Sequence, residues 1–368
     1  MSATSEDILN PQSEIYSAYA NVGRWYWGLQ SVIFSHDKFV PLREIFSKRP
    51  EEIREFRDGL DLHAAALMKI FVNLNLQDLL IEAIQFYIEK DLKLQMNFQP
   101  LNPKTEQNVK ELSEIGYTHL DSISLDKVEA MNNYLKNLPA RDWNNNPIVG
   151  KPTEVQNVGG FHLKDVIACP HLLEIANDPK ILSVVRNYLG AAPTIIVASA
   201  FQSFAGKNQA RDAQLFHMDY DDYKFCKLFV YLTDVDEKSG PHVYLDSTHK
   251  LQVMAQKRGS FSKGIKAFDE WWIMKLRKTD EEVKEYLGIT PTKITGKAGS
   301  AFLVDTRGIH KGLLPENRDR MICQITYAVS PRIQEHITLL PVSNPVIPPA
   351  MKNPTSEYVS RLFINFQK

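Results

Sequence analysis

The chain has 368 residues, of which 43% are hydrophobic, enough apolar side chain for one large globular domain or two ordinary ones. Its 43 Lys and Arg residues nearly balance its 44 Asp and Glu residues, so neither a nucleic-acid groove nor binding to an anionic membrane is indicated. Three widely spaced cysteines argue against a disulfide framework or structural zinc site, and the lack of a signal segment or membrane-length apolar run predicts a cytoplasmic protein.

Residues 1–110 are predicted to form a helical region that packs on the rest of the chain. Prolines interrupt this region near Pro41 and Pro50, which indicates several helices rather than one. Apolar residues recur at three- and four-residue spacing in two runs, Leu62, Ala65, Ala66 and Ile70, then Leu76, Leu79, Leu80, Ala83, Ile84 and Tyr87. The alternative interpretation is a partner-binding or dimerisation module, through which oligomers would form, although no motif supports it.

Residues 111–340 are predicted to form the main domain, of the α+β class. A short strand at 116–120 precedes a helix that begins near Ser124 and ends before Pro139. A second helix begins at Asp178, a cap followed by a first-turn proline, and ends at Gly190. Runs of β-branched and apolar residues predict strands at 194–202, 224–234, 242–245, 300–305 and 321–329. Such short strands, separated by Gly and Pro signals, are typical of an antiparallel sandwich or jelly roll.

A helical insertion is predicted between these strands, at about residues 260–290. Its segment 268–287 has a capping box that starts at Thr279 and a stop at Gly288. An insertion of this size between sheet strands suggests a lid over a site. Lys275 and Arg277, with the neighbouring tryptophans 271 and 272, would then face a substrate, or the tryptophans would pack the insertion on the sheets. Residues 341–368 are predicted to form a proline-rich C-terminal tail.

Two histidines and an aspartate form the candidate metal site, His217 and Asp219 in the motif His-x-Asp and His310 after a later strand. On an extended segment, residues i and i+2 face the same side, so His217 and Asp219 can reach one ion. Two imidazoles and one carboxylate are the facial ligand set of non-haem Fe(II) oxygenases, which leaves coordination positions open. His-x-Asp alone is a weak signal, because the spacing occurs by chance in many chains.

The neighbourhood of these residues strengthens the metal-site hypothesis. Four stretches follow one another in order: Gly116 to Leu120; Gln214-Leu-Phe-His-Met-Asp219; Leu232 to Pro241 with Ser247-Thr-His-Lys250; and Gly299 to Asp305 with His310-Lys-Gly312, Asn317 and Arg320. Over roughly residues 112–332 they resemble the phytanoyl-CoA dioxygenase-like family of Fe(II)/2-oxoglutarate oxygenases. One departure is Leu245-Asp246, where the family often has Pro-Gly, and it bears on the hairpin geometry rather than on the chemistry. The N-terminal hundred residues fall outside the resemblance.

The resemblance implies a double-stranded β-helix, a cupin-like jelly roll, with a helical N-terminal region and a helical lid insertion. It implies Fe(II) bound by His217, Asp219 and His310, with 2-oxoglutarate as co-substrate and O2 as oxidant. The remote carboxylate of 2-oxoglutarate then needs a buried cation, and the bidentate fork of arginine suits it. Arg318 and Arg320 both follow His310 closely. Arg320 is preferred, because a strand follows it directly and parity places it, with residues 322 and 324, on the face taken as the inner one.

Other polar residues are weaker candidates for binding 2-oxoglutarate. Lys227 lies among aromatic residues on one face of its strand, so it is either an edge lysine with a solvated head or a second anchor in a polar pocket. Gln202 and Gln214 are candidate hydrogen-bond partners. His242 and His249 are interpreted as structural.

The predicted function is an Fe(II)/2-oxoglutarate-dependent dioxygenase that hydroxylates a C–H bond of a small molecule or natural-product intermediate, with release of succinate and CO2. Desaturation, ring closure and epimerisation stay open, whereas halogenation is disfavoured because Asp219 fills the position that a halide would need. Two alternatives are a cupin-like metal-dependent hydrolase or isomerase that does not use 2-oxoglutarate, and a non-catalytic binding protein that acts through its helical N-terminal region.

Overall fold

A computed structural model of the chain describes residues 14–46, 74–331, 347–364 and 366. The helices are α1 (Glu14–Ser35), α2 (Val40–Phe46), α3 (Leu74–Phe86), α4 (Pro103–Glu114), α5 (Leu125–Lys136), α6 (Leu163–Ile167), α7 (Leu172–Ala176), α8 (Pro179–Leu189), α9 (Leu251–Ser260), α10 (Ile265–Asp269), α11 (Asp280–Leu287) and α12 (Pro354–Ser360). The strands are β1 (Tyr117–His119), β2 (Val158–Gly160), β3 (Thr194–Ser203), β4 (Phe225–Tyr231), β5 (His242–Tyr244), β6 (Thr292–Ile294), β7 (Ala301–Val304), β8 (His310–Gly312) and β9 (Arg320–Ala328).

Two antiparallel sheets form the centre of the protein. The larger has six strands in the order β1-β7-β4-β9-β3-β2, and the smaller has three in the order β6-β5-β8. The sheets pack against each other through buried side chains that include Phe229 and Phe302 of the larger sheet and Tyr244 of the smaller. The α+β class and the antiparallel strands are therefore as predicted. The sequence analysis placed residues 320, 322 and 324 on the inner face of their strand. The structure agrees for β9, because Ile322 packs between the two sheets.

Helices cover the outer face of the larger sheet, where Leu228, Cys323 and Ile325 join one large apolar core with helices α1, α3, α5 and α8. The described part of the N-terminal region packs into this core, and the Trp25 indole N–H donates a hydrogen bond of 3.2 Å to the Tyr358 hydroxyl of α12. The three cysteines are buried free thiols. No helix in the described ranges combines the length and apolar character needed to cross a bilayer.

Most predicted helix boundaries agree with the structure. The Asp178 carboxylate accepts hydrogen bonds from the backbone N–H groups of Lys180 (2.8 Å) and Ile181 (3.2 Å), and Gly190 ends α8 with φ of +85°. Ser124 occupies the N-cap position of α5, but its side chain makes no capping hydrogen bond. The predicted apolar run at 62–70, Pro50 and the first part of the predicted tail, residues 341–346, lie outside the described residues.

The insertion differs from its predicted form. It begins earlier, with α9 at Leu251, and the predicted continuous helix 268–287 is divided. α10 continues into a π-helical turn, Glu270–Met274, and Lys278 then pairs with Phe216 in an isolated β-bridge. Helix α11 follows with the predicted capping box, in which the Thr279 hydroxyl accepts a hydrogen bond from the Glu282 N–H (3.3 Å) and the Glu282 carboxylate accepts one from the Thr279 N–H (2.9 Å).

Candidate metal site

An extended ribbon beside the small sheet carries the two candidate histidine ligands. The backbone groups of His217 and His310 exchange two hydrogen bonds of 2.9 Å, and those of Phe216 and Lys278 exchange bonds of 3.0 and 2.8 Å. Because side chains alternate along extended segments, His217 and His310 share one face of this ribbon. The opposite face packs into the insertion, where Phe216 and Ile309 lie in a buried apolar cluster. The ribbon therefore brings together two residues far apart in sequence.

His217, Asp219 and His310 converge, and one ligand atom from each lies within 4.8 Å of the other two. The Nε2 atom of His217 is 3.7 Å from Asp219 Oδ1, and Nε2 of His310 is 3.4 Å from Asp219 Oδ2. This is the spacing of three groups that can share one cation, and they are the three residues that the sequence analysis named as candidate ligands. Two nitrogen donors and one carboxylate oxygen suit Fe(II) and related divalent metals.

Backbone carbonyls orient both imidazoles for metal binding. His217 Nδ1 lies 2.9 Å from the Leu215 carbonyl, and His310 Nδ1 lies 2.9 Å from the Gly308 carbonyl. Because a carbonyl oxygen only accepts, each Nδ1 carries the proton and each Nε2 lone pair faces the site. Burial, reinforced by nearby His310, lowers the pKa of His217 to about 3. His217 is therefore held neutral, the form that binds a metal.

Asp219 is paired with a buried lysine. Lys227 Nζ lies 2.7 Å from Asp219 Oδ2 and 2.8 Å from Asp221 Oδ2, and only 7% of Lys227 is exposed. Burial alone would raise the pKa of Asp219, but Lys227 and the two imidazoles together lower it well below its usual range. Lys227 points into a polar pocket, one of its two predicted orientations, yet its partners here are carboxylates beside the metal ligands. Its predicted role as an anchor for 2-oxoglutarate stays a prediction.

Replacing Lys227 by methionine is expected to destabilise the metal-free protein by about 3 kcal/mol, because a buried ion pair loses one partner and leaves uncompensated carboxylates. Ni(II) should then stabilise K227M more than the wild type, since the metal supplies the missing positive charge beside Asp219. Urea unfolding with and without Ni(II) measures both effects. Lys224→Met is the control, because Lys224 lies before β4 and has the Tyr188 ring 5.4 Å from its Nζ. An equal gain from nickel in K227M and wild type would contradict this assignment.

Arg320 is a buried arginine at the other end of the space between the sheets. One guanidinium nitrogen donates to the Gly240 carbonyl and another donates to Ser203 Oγ at 2.9 Å, while Nε has no partner among the residues that the structure describes. Among the described residues, no carboxylate forms an ion pair with it, and burial lowers its pKa. Gly312 makes room for the group, since a Cβ there would lie 3.1 Å from Arg320 Nη2. A buried guanidinium in this position suits an anionic ligand.

The alternative anchor, Arg318, is placed differently. It is half exposed and pairs with the Asp236 carboxylate, and its Nε donates a 2.9 Å hydrogen bond to Ser239 Oγ. A carboxylate therefore already neutralises Arg318. The geometry favours Arg320 over Arg318 as the residue with an unused charge.

The two candidate glutamines make contacts away from the metal ligands. Gln202 alternates with the inner-facing residues of β3, and its Nε2 donates to Asp319 at 2.9 Å. Gln214 is buried, and its Oε1 accepts from Asn157 Nδ2 at 2.7 Å and from the Arg211 N–H at 3.1 Å. The structure therefore brings neither glutamine amide to the triad, although Gln214 Nε2 is buried and has no partner among the described residues.

Three polar residues near the site were not singled out by the sequence. His242 was interpreted as structural; its ring stacks on that of His310 with centroids 5.3 Å apart, and its buried Nε2 has no partner in the described part of the chain. His242 of β5 pairs with Gly312 of β8, and Gly312 lies next to the Arg320 guanidinium. His242 therefore lies between the metal ligands and Arg320. Ser199 Oγ and Thr326 Oγ1 are also buried and have no partner within the described ranges. Both residues alternate with outward-facing residues of the larger sheet. Buried polar atoms that lack hydrogen-bond partners indicate that a polar ligand can bind between the sheets.

A buried ion pair holds the two loops that carry the ligands. Arg307 Nε donates to Asp305 Oδ1 at 2.9 Å, and Arg307 Nη1 donates to the Tyr223 carbonyl at 2.8 Å. Between the two charged residues, the Thr306 carbonyl accepts a 2.8 Å hydrogen bond from the backbone N–H of Asp219. We call Asp305, Thr306 and Arg307 the loop clamp. It links the segment after His217 to the segment before His310.

Asp222 gives the protein a predictable pH dependence. Its carboxylate accepts hydrogen bonds from Ser330 N (2.9 Å), Ser330 Oγ (2.7 Å) and Tyr223 N (2.7 Å), while burial raises its pKa from 3.8 to about 7. Because the folded protein holds this proton more tightly than the unfolded chain, the stability that Asp222 contributes should fall as pH rises from about 4 to 7. Buried His217 acts in the opposite direction over this range, so the prediction concerns the free energy of unfolding of the wild type relative to Asp222→Asn, which should fall with rising pH. Urea unfolding of both proteins at several pH values measures this difference, and a difference that stays constant or rises with pH would contradict the assignment.

Comparison with known proteins gives only distant likenesses. No protein-family model matches this chain, and no curated protein matches its sequence. HygX from Streptomyces hygroscopicus, solved with nickel and 2-oxoglutarate bound, is 15% identical, and the match covers 63% of this chain and 88% of HygX with a TM-score of 0.40. SnoK, a non-haem alpha-ketoglutarate-dependent carbocyclase from nogalamycin biosynthesis, is 15% identical over 63% of this chain and 87% of its own, with a TM-score of 0.42.

A third solved structure has a different activity. SnoN, an alpha-ketoglutarate-dependent epimerase from nogalamycin biosynthesis, is 12% identical and matches 68% of this chain and 94% of its own, with a TM-score of 0.42. The three proteins therefore differ among themselves in what they catalyse or bind. At such low identities and scores, the function proposed below depends on the residues of the chain itself.

Proposed function

We propose that the protein is an Fe(II)/2-oxoglutarate-dependent dioxygenase. The observation that carries this proposal is the convergence of His217, Asp219 and His310 within 4.8 Å, in a space that also contains the buried, carboxylate-free guanidinium of Arg320. His217, Asp219 and His310 would hold the metal through two Nε2 atoms and a carboxylate oxygen. Bound Fe(II) would supply the oxidative decarboxylation of 2-oxoglutarate by O2 to succinate and CO2, coupled to oxidation of a substrate C–H bond.

Arg320 and Ser203 would bind the remote carboxylate of 2-oxoglutarate. The guanidinium already has a hydroxyl partner in Ser203 and an unpartnered Nε, so a carboxylate can accept from it without displacing another acid. His242, between this arginine and His310, would add a ring nitrogen to the wall of the co-substrate pocket. Burial of these groups keeps water from competing for their hydrogen bonds and strengthens the electrostatic attraction.

The finer features of the proposal follow from the same residues. The two antiparallel sheets would form a double-stranded β-helix of the phytanoyl-CoA dioxygenase-like family, and helices α9–α11 would form its lid. Hydroxylation of a small molecule or natural-product intermediate is the expected outcome, with Asp219 filling the position that a halogenase leaves for a halide. We further propose a cytoplasmic location, the domain limits 1–110, 111–340 and 341–368, and oligomer formation through the N-terminal helices.

The two rival functions lack a comparable observation. A hydrolase or isomerase with the same triad would have no use for a buried arginine that lacks a carboxylate partner. A binding protein that acts through its N-terminal helices would have no use for two oriented imidazoles. Arg320 therefore favours the oxygenase, since an unpaired buried charge is costly unless a ligand needs it.

The test is reconstitution with Fe(II) under anaerobic conditions, followed by addition of 2-oxoglutarate and O2. We expect succinate to form with Fe(II) and to be absent when the metal is removed by a chelator. Succinate is measured by chromatography, first without substrate and then with a panel of small molecules. No Fe(II)-dependent succinate and no metal-dependent binding of 2-oxoglutarate would overturn the proposal.

A further inference from the structure

Arg277 of the insertion lies beside the metal ligands on the same face of the extended ribbon. Phe216 and Lys278 exchange two backbone hydrogen bonds, so the preceding residue, Arg277, is the cross-strand neighbour of His217. His217 is in turn the neighbour of His310 on its other side. The side chains of His310, His217 and Arg277 therefore form one row across the ribbon, and Arg277 is the exposed end of that row.

The opposite face of the ribbon is occupied. Phe216 is buried in the apolar cluster of the insertion, the Lys278 Nζ lies 5.3 Å from the Trp271 ring centroid, and the Lys311 Nζ lies 4.4 Å from the Phe216 ring centroid. Since successive residues alternate, Arg277, which precedes Lys278, is expected on the face of His217 and His310.

Arg277 also differs from the neighbouring cations in having no acidic partner. Lys275 pairs with Glu282, and Lys311 lies 2.7 Å from both oxygens of Asp280. For Arg277, no carboxylate of the described chain lies within ion-pair distance, and its one hydrogen bond is 3.3 Å to the carbonyl of Leu276. Its guanidinium is therefore available to an anion at the mouth of the site.

The segment that carries Arg277 is fixed at both ends, because Trp271 before it and Lys278 after it are buried. Arg277 itself is exposed, so an anion from solvent can reach its guanidinium.

We propose that Arg277 binds the anionic group of the substrate, an organic molecule that carries a carboxylate or phosphate. This inference rests on the proposed function, because it assigns the substrate class of the same metal site. An oxyanion suits the planar donor fork of arginine. The carbon to be oxidised would then be positioned by an anchor next to the ligand His217.

The experiment measures binding to the protein loaded with Ni(II), which replaces the reactive iron, and 2-oxoglutarate. Octanoate, octyl phosphate and 1-octanol are titrated by calorimetry into wild type, R277Q, R277K and K266Q. We expect at least one of the two anions to bind about tenfold more tightly than the alcohol, as a charge-assisted hydrogen bond implies. R277Q should abolish this preference, and R277K should retain part of it. K266Q, which removes an exposed charge elsewhere in the insertion, should retain all of it.

Comparison of octanoate with octyl phosphate shows whether the site prefers a carboxylate or a phosphate. Three results would overturn the inference: no binding of any probe, no preference for an anion over octanol, or a preference that survives in R277Q. Loading with Ni(II) and 2-oxoglutarate is measured first for every variant. If the wild type fails to load, the proposed function fails; if it loads and anion preference is absent, only the role of Arg277 fails.

Discussion

His217→Ala is expected to lower the affinity for Ni(II) or Co(II) at least about a hundredfold and to remove Fe(II)-dependent succinate formation. The variant loses one of three ligands, so water must replace an imidazole in the coordination of the metal. Loss of a residue that only hydrogen-bonds to a metal ligand already lowers metal affinity about 10–100-fold. Metal affinity is measured by calorimetric titration of the metal-free protein. Co(II) has the further advantage that its visible spectrum reports the change in coordination.

The control for this substitution is His36→Ala, which removes an exposed histidine beside α2. H36A should bind metal as the wild type does. H217A should also unfold cooperatively in urea, because the ribbon is held by backbone hydrogen bonds that the substitution leaves in place. Unchanged metal affinity in a folded H217A protein would show that the triad is not the metal site, and the proposed function would fall with it.

Arg320→Gln is expected to weaken binding of 2-oxoglutarate to the Ni(II)-loaded protein by roughly 10- to 100-fold, or about 1.5–3 kcal/mol, the range for hydrogen bonds to a charged group. Glutamine keeps a donor but removes the charge that the remote carboxylate requires. The metal affinity itself should change little, since Arg320 does not contact His217, Asp219 or His310. Calorimetric titration of 2-oxoglutarate into R320Q and wild type measures the loss.

Arg318→Gln provides a matched control two residues away. It breaks a half-exposed ion pair with Asp236, and such pairs contribute only about 0–1 kcal/mol to stability. R318Q should therefore bind 2-oxoglutarate as tightly as the wild type. Weak binding in R318Q with normal binding in R320Q would reverse the assignment of the anchor.

The strands and the ligand set could be predicted because both leave local signals. The β-branched run that begins at Thr194 and the apolar run up to Tyr231 have the composition of buried strands, and β3 and β4 lie within a few residues of their predicted limits. His217 and Asp219 are recognisable because their spacing matches the two-residue period of an extended segment. His310 could be added because a strand and a turn precede it in the resemblance.

Residues whose roles depend on pairing between distant segments could not be predicted. The face of Lys227 was deduced from parity, but its partners Asp219 and Asp221 depend on how the preceding loop returns over β4. His242 lies in a strand of three residues, too short for alternation to reveal that it faces His310. The helix predicted through Lys278 was wrong because pairing with Phe216 satisfies the backbone groups that a helix would otherwise satisfy.

The loop clamp bears on how the protein takes up and loses its metal. Asp305 and Arg307 hold the two ligand-bearing segments through interactions that involve no metal ion, so these segments are ordered when the chain folds rather than when a metal ion binds. Zinc fingers represent the opposite case, in which the apo chain is unfolded. Metal exchange here should resemble loading of a rigid chelator, with the empty and filled forms sharing one backbone and interconverting without a folding step.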